Sequence, residues 1–107
     1  MSLYKSVVEN GCSHPGKHLK VYLLSLGISQ TQLAKELRVP ESRVNSIIHE
    51  KIRISADTAC RLSRYLGTSF EYWMNLQIKY DIYIARKKLN ETSELDKITP
   101  YRNKKSK

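Results

Sequence analysis

Between Glu41 and His49 the chain places Glu41, Ser42, Arg43, Asn45, Ser46 and His49 around the apolar Val44, Ile47 and Ile48. On a helical period the three apolar residues turn inward and the six polar ones share the outward side. Those six have a chemistry in common. An arginine fork matches guanine O6 and N7, asparagine pairs with adenine, serine bonds to either, and a glutamate accepts from cytosine N4. Ser42, Arg43 and Ser46, near the start of the stretch, are the candidates for base contact, with Glu41 reaching cytosine or bracing Arg43. Asn45, His49, Lys51 and Arg53 suit phosphate, which fixes register without reading sequence. Gln30, upstream, can direct its amide at phosphate or brace the same helix.

Other chemistries fit the residue types less well. His14 and His18 stand four apart with Cys12 nearby, but Pro15 and Gly16 intervene and no fourth metal ligand is evident. Asp57 reads as a negative charge at a helix start, and Asp81 as a hydrogen-bond partner, rather than as an acid and base pair. Neither a Ser/His/Asp order, nor a Cys/His order, nor a phosphate-cradling glycine loop is present. The expectation is a protein that is not an enzyme and needs no cofactor or metal.

The elements that must hold the polar stretch follow from caps and breakers. His14-Pro15-Gly16 introduces a first helix, Lys17 to Leu26, with Leu19, Leu23 and Leu26 recurring along it and Gly27 stopping it. Ser29-Gln-Thr-Gln32 is a capping-box pattern, with the serine hydroxyl accepting from the third N–H and Gln32 reaching back. A second helix follows, burying Leu33, Ala34 and Leu37. Pro40 opens a third, about Glu41 to His49. Ser55 caps a fourth that ends at Gly67, and Thr68-Ser69 open the longest, Phe70 to about Leu89.

A short turn separates the second and third helices, and Ala34 supplies the small side chain that a close, steep crossing requires. Either helix alone reads as an amphipathic element with a wet face. Small residue, turn length, apolar spacing and basic flank together predict a helix-turn-helix whose third helix enters the major groove of DNA. Arg38 holds the turn position where glycine is usual, which predicts a non-standard turn. The fold expected is all-α, with five helices in one domain: an extension over 1–13, a reading and dimerising unit over 14–89, and a basic tail over 90–107.

Charge is consistent with a polyanionic partner but does not locate it. Nineteen Lys and Arg against ten Asp and Glu give +9 over 107 residues. Through Ala85 there are 11 basic and 7 acidic residues, and from Arg86 onward 8 and 3, so the tail carries over half the excess. Runs such as Arg86-Lys87-Lys88 and Lys104-Lys105 are ordinarily just solvated. Cys12 and Cys60 suggest no disulfide framework, and the apolar runs fall short of the roughly 18 residues that span a bilayer. Both features predict a soluble protein of the cytoplasm that does not use a membrane.

In the last helix Trp73, Leu76, Tyr80, Tyr83 and Ile84 form one apolar stripe and Met74, Ile78, Ile82, Ala85 and Leu89 a second. The first meets the core. The second marks either a helix wedged into a single core or, as expected for so small a domain, the face of a homodimer, which would set two reading helices about 34 Å apart on a pseudo-palindromic site.

Four segments occur in close succession: Ser29-Gln-Thr-Gln-Leu-Ala-Lys-Glu-Leu, Arg43-Val-Asn-Ser-Ile-Ile, Ile54-Ser-Ala-Asp-Thr-Ala and Leu66-Gly-Thr-Ser-Phe-Glu-Tyr-Trp-Met-Asn-Leu-Gln. With His14-Pro15-Gly16-Lys17-His18-Leu19 and Tyr80-Asp81-Ile82-Tyr83, the set resembles the HigA/VapI-type antitoxins of the Xre/Cro-like class, over about His14 to Ala85. The resemblance implies a dimeric antitoxin that neutralises a HigB-like mRNA-cleaving toxin and represses its own operon at operator DNA. Gln30, Ser42, Arg43 and Ser46 match that family's DNA-contacting positions. Pro40 and Phe70 stand where its members more often have Ser and Pro, and the tail from Arg86 is poorly covered. Two other readings are a free-standing regulator of the same fold without a toxin, and an RNA- or membrane-surface binder acting through the tail.

Overall fold

The structure, a computed structural model, describes residues 12–101. The Asn10-Gly11 turn, Lys104-Lys105 and most of the 1–13 extension lie outside the described residues. Among the described residues there are five α-helices: α1 Pro15–Leu26, α2 Gln30–Leu37, α3 Glu41–Ile48, α4 Ala56–Leu66 and α5 Phe70–Glu91. A single 3-10 turn, Leu95–Lys97, follows. None of the described helices is long and apolar enough to cross a membrane.

The ends are set locally, as the caps require. Ser29, Ser55 and Ser69 each accept from the N–H three residues on, and Gly27 and Gly67 close α1 and α4 in the left-handed conformation that their missing Cβ permits. His14 precedes α1 as its cap, its Nδ1 accepting from the Gly16 N–H at 2.9 Å. Burial pushes the His14 imidazole below the usual histidine range, which keeps Nδ1 free to accept. Pro15 then occupies the first helical position, two residues earlier than the leucine spacing suggested. Pro40 is a cap rather than the first residue of α3. Gln32 makes no return bond to Ser29, so only half of the capping box forms.

Arg38 corrects the turn expected between α2 and α3. It adopts the left-handed conformation, φ 62° and ψ 46°, so the turn has the geometry that glycine would ordinarily provide. For a side chain with a Cβ this costs ~1–2 kcal/mol. Two groups of bonds hold it there. The Val39 N–H closes back on the Ala34 carbonyl at 3.0 Å, and Arg61 Nη1, from α4, donates to the Leu37 carbonyl at 2.8 Å and the Arg38 carbonyl at 3.4 Å.

One core joins all five helices: Leu19 and Leu23 of α1, Leu33, Ala34 and Leu37 of α2, Val44 and Ile47 of α3, Ala59 and Leu62 of α4, and Trp73 of α5, with Ile54 from the loop. Leu26 is 54% exposed, so the α1 stripe ends a turn earlier than its spacing implied. Helices α1 and α3 touch at Gly16, where an added Cβ would lie 2.0 Å from the Ile47 carbonyl oxygen. That oxygen is backbone and cannot swing aside. Gly16→Ala is therefore expected to destabilise the fold by roughly 1–3 kcal/mol despite alanine's better helix propensity. A fall in the urea midpoint at unchanged slope would measure it.

Helix α5 enters this core only over its first half. Trp73 and Gln77 are buried, Leu76 and Tyr80 half-buried, but Tyr83 and Ile84 are exposed, contrary to a stripe running on to residue 84. The rest of α5 stands off the other four helices, and the molecule measures 58 Å along its long axis against 28 and 22 Å across it.

Candidate nucleic-acid interface

Helix α3 has one face in the core and the opposite face in water because 100° per residue separates them. Val44 and Ile47 are each 1% exposed, which puts Ser42, Ser46 and His49 on the far side. Glu41 and Asn45 fall on the flank toward α2, and Arg43 on the flank toward α4. Ser42, Asn45, Glu41 and His49 are exposed, and Arg43 and Ser46 are half-buried at the edges.

Both flanks are braced. Toward α2, Asn45 Nδ2 donates to Gln30 Oε1 at 3.0 Å and Thr31 Oγ1 donates to Glu41 Oε2 at 2.8 Å. Of the two roles open to Gln30, bracing is the one its carbonyl oxygen performs. Asn45, expected at phosphate, gives one amide hydrogen to that brace and stays exposed. Glu41 does not brace Arg43 as expected: its carboxylate is held by Thr31, on the side of the helix away from Arg43.

The partner of Arg43 comes instead from α4. Arg43 Nη1 donates to Asp57 Oδ2 at 2.8 Å, and Arg61 Nε donates to the same oxygen at 2.9 Å. Hydrogen bonds from Arg61 and then Arg43 hold the Asp57 carboxyl below its usual range, so it is ionised at neutral pH. Sequence reasoning took Asp57 as a charge at a helix start and passed over Arg61. The only signal was their opposite charge four residues apart, which says nothing about Arg43.

His49, Lys51 and Arg53, the residues after Ser46 expected at phosphate, are all exposed. His49 shares a hydrogen bond at 2.9 Å between its Nδ1 and the Asn45 carbonyl, and Lys51 extends into solvent. Arg53, assigned to phosphate, instead turns to α5 and pairs with Asp81. Asp81 also accepts from Gln77 Nε2 at 2.9 Å, while Gln77 Oε1 accepts from the Ile54 N–H at 2.7 Å. A glutamine within the apolar stripe thus ties the loop after α3 to α5. Among the described residues no group of three or more His, Cys, Asp or Glu is arranged to hold a metal, and His14 is committed to capping α1.

On α5 the second apolar stripe divides. Met74 packs against the core and Leu89 is half-buried, while Ile78, Ile82 and Ala85 are exposed. Ile82 and Tyr83 line a shallow groove with Cys12, Lys79 and Arg86.

The helix-turn-helix family model matches residues 19–73, from the middle of α1 to Trp73. Virulence-associated protein I of Dichelobacter nodosus is 43% identical over 86 residues, which is 79% of this chain and 80% of that protein. Two solved structures superpose with a TM-score of 0.78. One is an addiction module antidote protein of the HigA family from Coxiella burnetii, 44% identical, covering 84% of this chain and 98% of its own. The other is the Pseudomonas aeruginosa antitoxin HigA, solved with the higBA promoter, at 39% identity and with coverage of 85% and 99%.

Proposed function

Because the chain belongs to the helix-turn-helix family that includes the HigA- and VapI-type antitoxins, we propose that it binds operator DNA through α3, as a dimer, and represses the operon that encodes it. Its second task is to neutralise a HigB-like mRNA-cleaving toxin. The observation that carries the DNA reading is the outward face of α3. Ser42, Ser46 and His49 stand clear of the core, and the helix is pinned on one flank by Gln30 and on the other by Asp57. A helix held this way meets base edges with little left to order on binding. That the Pseudomonas HigA was solved with promoter DNA supports the same use of this fold.

In this reading Ser42, Arg43 and Ser46 contact bases, with Glu41 at the groove edge. The free donor of Gln30, together with His49 and Lys51, contacts phosphate. Asn45 acts from behind by bracing, and Arg53 reaches phosphate only by leaving Asp81. Ile78, Ile82, Ala85 and Leu89 form the dimer face, with Met74, packed against the core, at its edge, so the reading and dimerising unit runs from 14 to 89 and the tail adds unspecific attraction.

Titration of the DNA upstream of the gene tests this directly. Arg43→Ala is expected to cost roughly 1–3 kcal/mol at the operator. Removing residues 92–107, past the end of α5, should leave base preference intact while flattening the salt dependence. The reverse pattern, binding lost with the tail and indifferent to Arg43, would transfer the function to an RNA or membrane surface. Co-purification with a toxin encoded beside it separates the antitoxin from a free-standing regulator.

A further inference from the structure

We propose that Asp57 is a positioning residue for base recognition, fixing the Arg43 guanidinium so that the unbonded edge of its fork is aimed out of the α3 face. The proposal rests on the reading above, in which α3 enters the major groove. Asp57 lies on a different helix, 14 residues from Arg43, and its Oδ2 takes Arg43 Nη1 and Arg61 Nε together. Arg61 is itself tied by Nη1 to the Leu37 and Arg38 carbonyls. A chain of bonds therefore runs from the strained turn through Arg61 and Asp57 to the reading side chain.

Three features favour positioning over a local role at the start of α4. A free arginine loses much of its side-chain entropy on being ordered, and a bond that selects one rotamer before binding removes part of that loss. The contact uses one of five N–H donors, and among the described residues Nε and Nη2 of Arg43 have no other partner, which leaves an edge able to fork onto guanine O6 and N7. Finally, Asp57 puts a negative charge beside the surface that would face phosphates. Attraction alone would select against that carboxylate; orientation of Arg43 gives it a purpose.

The probe is a pool of duplexes with a randomised core, from which native protein and the Asp57→Ala, Asp57→Asn, Arg43→Ala and doubly substituted variants each select. Arg43→Ala should erase the preference at one base pair of the native site. Asp57→Ala should weaken the preference at that same pair by about tenfold. Its affinity for arbitrary duplex should rise, because a charge that repels phosphate is gone. The double variant should discriminate no worse than Arg43→Ala alone, since Asp57 acts through Arg43. Asp57→Asn, which keeps an acceptor, should fall between native and Asp57→Ala and decides the matter if the alanine variant fails to fold. Full preference in both Asp57 variants, beside its loss in Arg43→Ala, overturns the proposal and leaves the DNA reading standing. An equal loss for selected and arbitrary duplexes in the Asp57 variants overturns it likewise. If Arg43→Ala keeps the native preference, the reading and the proposal fall together.

Discussion

Sedimentation is expected to show a dimer for the native chain and a folded monomer for an Ile78→Asp, Ile82→Asp double variant. The two isoleucines are 48% and 46% exposed on a helix whose second half leaves the core. Fully burying an isoleucine stabilises by about 1.5–3 kcal/mol, so covering what four such side chains leave in water is worth on the order of 3–5 kcal/mol. Four carboxylates in the same place lose that and add desolvation and mutual repulsion, which no rim contact offsets. Within one protomer the cost is smaller: about half of each isoleucine is already covered, and losing that cover, with a few tenths for helix propensity, costs on the order of 1–2 kcal/mol at each position, short of the whole stability of the domain. Thermal unfolding should therefore still be cooperative. Operator binding should drop by roughly a hundredfold or more, because the second half-site is no longer tethered to the first. An unchanged dimer would sink the assignment of this face.

What the sequence made legible, and what it did not, divides by range along the chain. Ser29, Ser55 and Ser69 were readable as caps because each bonds to an N–H only three residues on, and Gly27 and Gly67 as stops because the conformation they adopt is their own. The inward and outward faces of α3 followed from its period. Arg38 was misread because part of what holds it in a glycine-like conformation comes from Arg61, 23 residues later, a contact that exists only once α4 packs beside α2. The same packing brings Asp57 to Arg43. Gln77 interrupts an apolar stripe and would pass for a flaw in the pattern. Its value lies in satisfying the Ile54 N–H, which the loop after α3 leaves without a helical partner. Gly16 looked like part of a helix entry, and only the approach of the Ile47 carbonyl shows why a side chain is excluded there.

Trp73→Ala is the substitution expected to come nearest to unfolding the chain. The indole is wholly buried where α5 meets the rest of the core, and its Nε1 donates to Thr68 Oγ1 at 2.7 Å. Tyr72 meets it edge-on at a centroid distance of 5.0 Å, and Tyr22 of α1 is tilted against it at 5.6 Å. One side chain thus fastens α5 to α1 and to the turn that precedes it. Truncation to alanine in such a site costs about 3–5 kcal/mol, through lost burial and through a cavity that rigid neighbours cannot close. A domain of this size is stable by about 5–15 kcal/mol in all, so the variant keeps between most and almost none of its margin. At roughly 4–8 °C per kcal/mol, the midpoint followed by circular dichroism should fall by at least 12 °C. Trp73→Phe separates packing from the hydrogen bond: it retains an aromatic ring against Tyr22 and Tyr72 and releases Thr68, so its drop should be well under half as large. Because α5 also carries the proposed dimer face, Trp73→Ala should weaken DNA binding even at temperatures where the chain is still folded. A loosened α5 no longer holds two copies of α3 at a fixed separation. An alanine variant melting within a few degrees of the native chain would mean that α5 is held chiefly by other contacts, and the spacing of the two reading helices would then need a different anchor.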